Sequence, residues 1–185
     1  MRRIMLVDDE NLVLRALQRV ISRRLADEEV RVETFEDPRA ALRRAAEVGF
    51  DVVVSDYRMP IMDGVSFLVA LKEIQPDTVR LILSAQADLN ALVSAINQAE
   101  LFRFLAKPWL DEELLVAVRL AFARRDKLLA ERRLADERRL QIGLLTPEEL
   151  ELRRLEEEEP GITKVNWGHD GSVILDEVVD AGRER

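Results

Sequence analysis

Four short, β-like apolar runs in this chain each stop at a polar residue suited to chemistry, and this pattern restricts the fold more than any other feature of the sequence. Ile4 to Val7 leads into Asp8 and Asp9, Val52 to Ser55 into Asp56, Leu81 to Leu83 into Ser84, and Leu101 to Ala106 into Lys107-Pro108. Chemistry at the ends of successive strands points to a parallel α/β sheet, whose ligand crevice lies outside the carboxyl ends of its strands. Strands near 3–7, 30–35, 51–55, 79–83 and 101–105 alternate with helices at about 11–25, 38–48, 64–75, 88–98 and from 111 onward. Such alternation puts helices on both faces of the sheet. Asp88 and Asp111 are expected as helix N-caps, and Pro38 and Pro76 punctuate connections.

Three carboxylates forced into one crevice repel one another, so their ionisation calls for a cation. All-oxygen donors suit magnesium or calcium better than zinc. A lysine adds positive charge and a serine hydroxyl adds a donor, a combination suited to a phosphoryl group in transit. An aspartate can itself be the nucleophile, through an aspartyl-phosphate. Taken singly, each residue has an ordinary role: adjacent aspartates line solvated loops or cap helices, and a serine after a strand caps or turns. It is the coincidence of all four sites that favours chemistry.

In order and spacing, LVDDE at 6–10, VVSDYRMPIMDG at 53–64, LILSA at 81–85 and FRFLAKPW at 102–109 resemble the receiver domain of bacterial two-component response regulators, over roughly residues 1 to 124. The resemblance implies a doubly wound, flavodoxin-like parallel sheet of order 2-1-3-4-5, in which the chain reverses direction between strands 1 and 3 and brings Asp8, Asp9 and Asp56 together. It implies Asp56 as phosphoacceptor. Mg²⁺ would be held directly by Asp9, Asp56 and the backbone carbonyl of Arg58, and by Asp8 through water. Ser84 and Lys107 would contact the phosphoryl oxygens, Phe104 would be the aromatic switch, and the Lys107-Pro108 bond would be cis. Outside this pattern Phe104 would read as a core residue.

Composition narrows the function classes. Cysteine is absent, which removes disulfides and thiolate metal sites, and the single histidine, His169, cannot build a His-cluster zinc or phosphodiesterase centre. No run of eighteen apolar residues exists, so the expectation is a cytoplasmic protein without a membrane insertion. Residues 143–185 carry 5 basic and 12 acidic side chains, and the whole chain has a net charge of −8, which sets it against direct binding to a nucleic-acid backbone.

The last receiver helix is expected to run on to residue 142, a length of roughly 48 Å, and to project beyond the domain after Arg124. Ala121, Leu128, Ala135 and Ile142 recur every seven residues, but Arg124, Glu131 and Arg138 occupy the companion positions. A weak coiled-coil dimer is favoured over a single solvated helix. Gly143 reads as a helix C-cap and Thr146-Pro147-Glu148-Glu149 as a capping box opening a helix at 147–158. The stretch around Gly168-His169-Asp170-Gly171 reads as a β-hairpin, with Trp167, Val173 and Leu175 needing cover. The expected organisation is a receiver at 1–124, a projecting helix at 125–145 and a helix-plus-hairpin appendage at 146–185.

The function expected is a response regulator, not an enzyme. It would accept a phosphoryl group from a sensor histidine kinase and signal by homodimerisation or by docking a protein partner. Alternatives are a receiver fragment of a longer cyclic-di-GMP phosphodiesterase or transcription regulator, and an adaptor that is never phosphorylated. A phosphohydrolase resembling haloacid dehalogenases is disfavoured, because that family needs an Asp-x-Asp motif and Asp8 and Asp9 are adjacent.

Overall fold

Residues 1–85 and 99–158 are described by the structure, a computed structural model. Five strands, β1 (Arg2–Val7), β2 (Val30–Phe35), β3 (Val52–Asp56), β4 (Val79–Ala85) and β5 (Arg103–Lys107), form one sheet of order β2-β1-β3-β4-β5. Every neighbouring pair is parallel. Helices α1 (Asn11–Arg24), α2 (Pro38–Ala45) and α3 (Gly64–Ile74) connect the first four strands, and α4 (Asp111–Gln141) and α5 (Pro147–Glu158) follow β5. The helix expected at 88–98, the cap at Asp88, and the hairpin with His169, Trp167, Val173 and Leu175 lie outside the described residues.

Strand residues alternate between the two faces, and each face has its own core. Ile4, Leu6, Val52, Val54, Leu81 and Leu83 pack with Leu14, Leu17 and Ile21 of α1 and Leu114, Val118 and Phe122 of α4. Met5, Val7, Val53 and Ile82 pack with Ala41 and Ala45 of α2 and Phe67, Leu68 and Leu71 of α3. Burying such a side chain is worth roughly 1.5–3 kcal/mol, which explains why the central strands are apolar on both sides.

Local signals set the helix ends. Asp37 caps α2 by accepting from the Arg39 N–H at 2.8 Å, with Pro38 at the first helical position. Asp63 caps α3, accepting from Val65 at 3.0 Å and Ser66 at 2.9 Å. Asp111 is not a cap: Leu110 holds that position, and Asp111, Glu112 and Glu113 fill the first turn, where carboxylates favour the positive end of the helix dipole. At the far end Gly143 adopts φ 73°, and the N–H groups of Gly143 and Leu144 bond to the carbonyls of Leu140 and Arg139. This is the 5→2 and 6→1 pairing that closes a helix on a left-handed residue. Thr146 and Glu149 then exchange bonds of 2.8 and 3.1 Å, the expected capping box.

The expectation that α4 leaves the receiver after Arg124 fails. Arg125 is buried and faces Asp51 and Asp77, Arg132 binds Asp77, and Leu128 packs against the core beneath α1 and α4. Charged residues at the amino ends of β3 and β4 give the helix a further turn or two of receiver to follow. With Ala121 fully buried as well, the first half of the seven-residue stripe is consumed by the receiver's own core. Helix α5 turns back on α4, fastened where the buried Asp136 accepts from Arg139 at 2.9 Å and Arg153 at 2.7 Å.

Candidate functional site

Because the strands are parallel, their carboxyl ends share one edge of the sheet. Asp8 follows β1 directly, while Asp56 and Lys107 are the last residues of β3 and β5 and Ser84 is the penultimate residue of β4. The register pairs Asp56 with Leu83 and Ala85 with Lys107, so the lysine must reach across β4 to meet the acids on β3 and β1. It does so. The Lys107 Nζ lies 2.7 Å from Asp8 Oδ2 and 2.5 Å from Asp56 Oδ1.

Each acid divides its oxygens between the lysine and the backbone. Asp8 Oδ1 accepts from the Glu10 N–H at 2.9 Å, and Asp56 Oδ2 accepts from the Arg58 N–H at 2.7 Å. Both are buried, Asp8 to 1% and Asp56 to 5% exposure. Burial is the largest influence on Asp8, and it raises that carboxyl above the usual aspartate range despite the bonds to Lys107 and Glu10. Burial also works against the Lys107 ammonium, but its bonds to Asp56 and Asp8 outweigh that cost and hold it above the ordinary lysine value. With both acids ionised, two buried carboxylates would share one cation and leave an uncompensated negative charge.

Asp9 is exposed at the rim. Among the described residues no three acids close around a common point as a self-sufficient metal cage does. Magnesium needs no such cage: it keeps several of its waters and is bound through one or two carboxylates together with a phosphate. The donor set is all oxygen, it carries excess negative charge, and it includes a desolvated acid whose ionised form a cation would favour. These residues fit a hard divalent ion.

Ser84 is buried beside the site, with its hydroxyl 3.4 Å from the Ala85 carbonyl. Phe104, in the middle of β5, is half-buried against the core on the α2 and α3 side. The Lys107-Pro108 peptide is cis. Asp8, Asp56, Ser84 and Lys107 are therefore at least partly enclosed along one sheet edge, while Asp9 and Arg58 are exposed and Phe104 lies further back on β5.

Some supporting residues lie within the motif at 53–64 but were given no role there. Gly64 opens α3, and a Cβ there would stand 2.0 Å from the Asp56 carbonyl oxygen, so only glycine lets the helix start this close to the site. The Gly64 N–H also donates to the Tyr57 carbonyl at 2.8 Å, and Ser55 Oγ donates to the Asp56 carbonyl at 2.9 Å. The Asp-Gly pair at 63–64 is a visible turn signal, but nothing in it says what the glycine must clear.

The family model for the response regulator receiver domain matches residues 4–119. The hydrogenase transcriptional regulatory protein HoxA of Cupriavidus necator is 32% identical over 118 residues, 64% of this chain and 23% of that protein. The transcriptional regulatory protein PrrA of Mycobacterium leprae is 36% identical over 123 residues, 66% of this chain and 51% of that one. The chain thus spans between about a quarter and a half of the length of these relatives. Among solved structures, the signal receiver domain of an HD domain-containing protein from Pseudomonas fluorescens Pf-5 superposes with a TM-score of 0.63 at 33% identity, covering 68% of this chain and 98% of that one. The beryllofluoride-activated NtrC4 receiver domain dimer superposes at 0.61 and 31% identity, covering 68% and 99%.

Proposed function

This chain belongs to the response regulator receiver domain family, and from that premise we propose that Asp56 accepts a phosphoryl group from a phosphohistidine of a sensor kinase, in a two-component signalling role in the cytoplasm rather than as an enzyme. The observation that carries the reading is the bridging of Asp8 and Asp56 by Lys107 at the carboxyl edge of the sheet. An Asp56 carboxylate oxygen attacks phosphorus. The O–P bond forms as the P–N bond breaks, and the imidazole nitrogen keeps the electron pair and takes up a proton.

Lys107 is already within contact of the reacting oxygen, so it follows the charge as it moves from the carboxylate to the phosphoryl oxygens. Ser84 supplies a second donor to those oxygens. The backbone N–H of Arg58 holds the other Asp56 oxygen and fixes the carboxylate's orientation. Asp9, Asp56 and the Arg58 carbonyl would hold Mg²⁺ directly and Asp8 would hold it through water, and the ion supplies charge neutralisation at the phosphoryl group.

Phosphorylation replaces the Asp56 carboxylate by an acyl phosphate that carries about −1.5 to −2 charge and places it further out. Lys107 and Ser84 are drawn to it, and Phe104 on the same strand as Lys107 repacks, changing the face that β5 and α4 share. Helix α4 starts four residues after Lys107 and carries the α5 hairpin at its other end, so output passes along it to a second copy or a protein partner. No described helix is long and apolar enough to cross a membrane.

Trp109 reports on this step because it packs against the core two residues from Lys107. In a Trp167→Phe background, beryllofluoride with Mg²⁺ should change Trp109 fluorescence. Lys107→Ala should remove that change while leaving the circular dichroism intact, and a normal fluorescence response in Lys107→Ala would count against the role given to the lysine.

A further inference from the structure

At the opposite edge of the sheet from the acidic site, a cavity of about 680 Å³ lies between the receiver and the α4–α5 hairpin. Its wall brings together Arg3 of β1, Asp51 just before β3, Arg125, Arg133 and Glu137 of α4, and Arg154 of α5. Four guanidinium groups thus face two carboxylates. In a chain whose net charge is −8, this is a locally positive chamber.

Arg125 is the unusual member. It is only 8% exposed, yet neither its Nε nor its Nη1 makes a hydrogen bond among the described residues. The nearest carboxylates, Asp51 and Asp77, stand at 3.6 and 3.7 Å, close enough to offset charge but not to satisfy the donors. Both atoms are also shielded from solvent, so Arg125 lends the wall of the chamber its charge rather than an open donor. Arg154 meets Glu151 only at 3.9 Å, and Arg3 meets Glu33 only at 3.6 Å, so the chamber's other arginines are also loosely held.

We propose that this cavity binds a small anion carrying at least a diphosphate, held between the receiver and its helical hairpin. Guanidinium groups present paired N–H donors that match phosphate oxygens, and Arg125 and Arg133, two helical turns apart on α4, face one chamber. Leu129, between them on the same helix, offers apolar contact for the rest of the molecule. The volume lies within the range of small-molecule sites. Since β1, the start of β3, α4 and α5 all contribute to the wall, an occupant would brace the hairpin on the receiver independently of Asp56.

Isothermal titration of the full chain, in Mg²⁺-free buffer of low ionic strength, with inorganic pyrophosphate and with ADP tests this. Saturable binding of both is expected, weakening at least tenfold in Arg125→Gln and in Arg133→Gln and unchanged in Asp56→Asn. Arg133 is exposed, so Arg133→Gln decides the matter even where Arg125→Gln does not fold. Absence of saturable binding by both probes would overturn the proposal. So would undiminished affinity in Arg133→Gln, and loss of binding in Asp56→Asn would place the anion at the acidic edge instead.

Discussion

Gly64 lies so close to Asp56 that a Cβ added to it would stand 2.0 Å from the Asp56 carbonyl oxygen. The obstacle is backbone, at the end of a buried central strand, and cannot swing aside as a flexible side chain would. Gly64→Ala must therefore push α3 away from β3 or break the Gly64–Tyr57 bond. A loss of about 1–3 kcal/mol is expected from overpacking of this kind. Urea unfolding measures it, and a variant as stable as the parent would show that α3 can start further from the site.

Asp8 links the site to pH. Its carboxyl is raised by burial, so the folded state binds that proton more tightly than the unfolded state, whose value is 3.8. The stability it contributes is fully present below 3.8 and is lost as pH rises through the raised value. Above that raised value and without Mg²⁺, Asp8 is a buried charge that opposes folding, and there Asp8→Asn should raise the urea midpoint. The advantage of the variant should shrink as the buffer is taken down toward the unfolded aspartate value. Added Mg²⁺ should stabilise the parent and not Asp8→Asn. A variant less stable than the parent above the raised value would mean that the bond to Lys107 outweighs desolvation.

Much of this architecture was legible in the chain. Strand and helix positions followed from apolar runs and their punctuation, and the Schellman end at Gly143 and the capping box at Thr146 and Glu149 needed only local chemistry. What stayed hidden depends on distant partners. Nothing local in the chain marks Arg125, Arg132 and Asp136, because Asp51, Asp77 and Arg153, which draw them onto the receiver and the hairpin, lie far away in sequence. Buried Gln75 and Thr78 are similar. Gln75 accepts from the Phe50 N–H at 2.9 Å and Thr78 donates to the Phe50 carbonyl at 2.8 Å, closing the turn before β3 in a way that no spacing announces. At the acidic site the motif pointed to Asp8, Asp56, Ser84 and Lys107, which the fold brings to one edge of the sheet, but the direct grip of Lys107 on both Asp8 and Asp56 emerged only from the fold.

Helix α4 still presents apolar surface where it passes beyond the receiver. Leu134 is 67% and Ile142 57% exposed, and Leu144 and Leu152 on the hairpin are exposed as well. Covering one such side chain is worth roughly 1.5–3 kcal/mol, and a second copy of the same helix is the simplest cover. Light scattering of residues 1–185 at tens of micromolar should give a dimer, and Leu134→Glu with Ile142→Glu should give a monomer. A monomeric parent in both phosphorylation states would rule this assembly out.

The phosphoacceptor role of Asp56 is tested most directly by mass spectrometry after incubation with acetyl phosphate and Mg²⁺. One phosphoryl group per chain is expected, on the peptide that contains Asp56, with none on Asp56→Asn. Labelling of Asp56→Asn equal to that of the parent, or a parent chain that takes up no phosphoryl group, would contradict it.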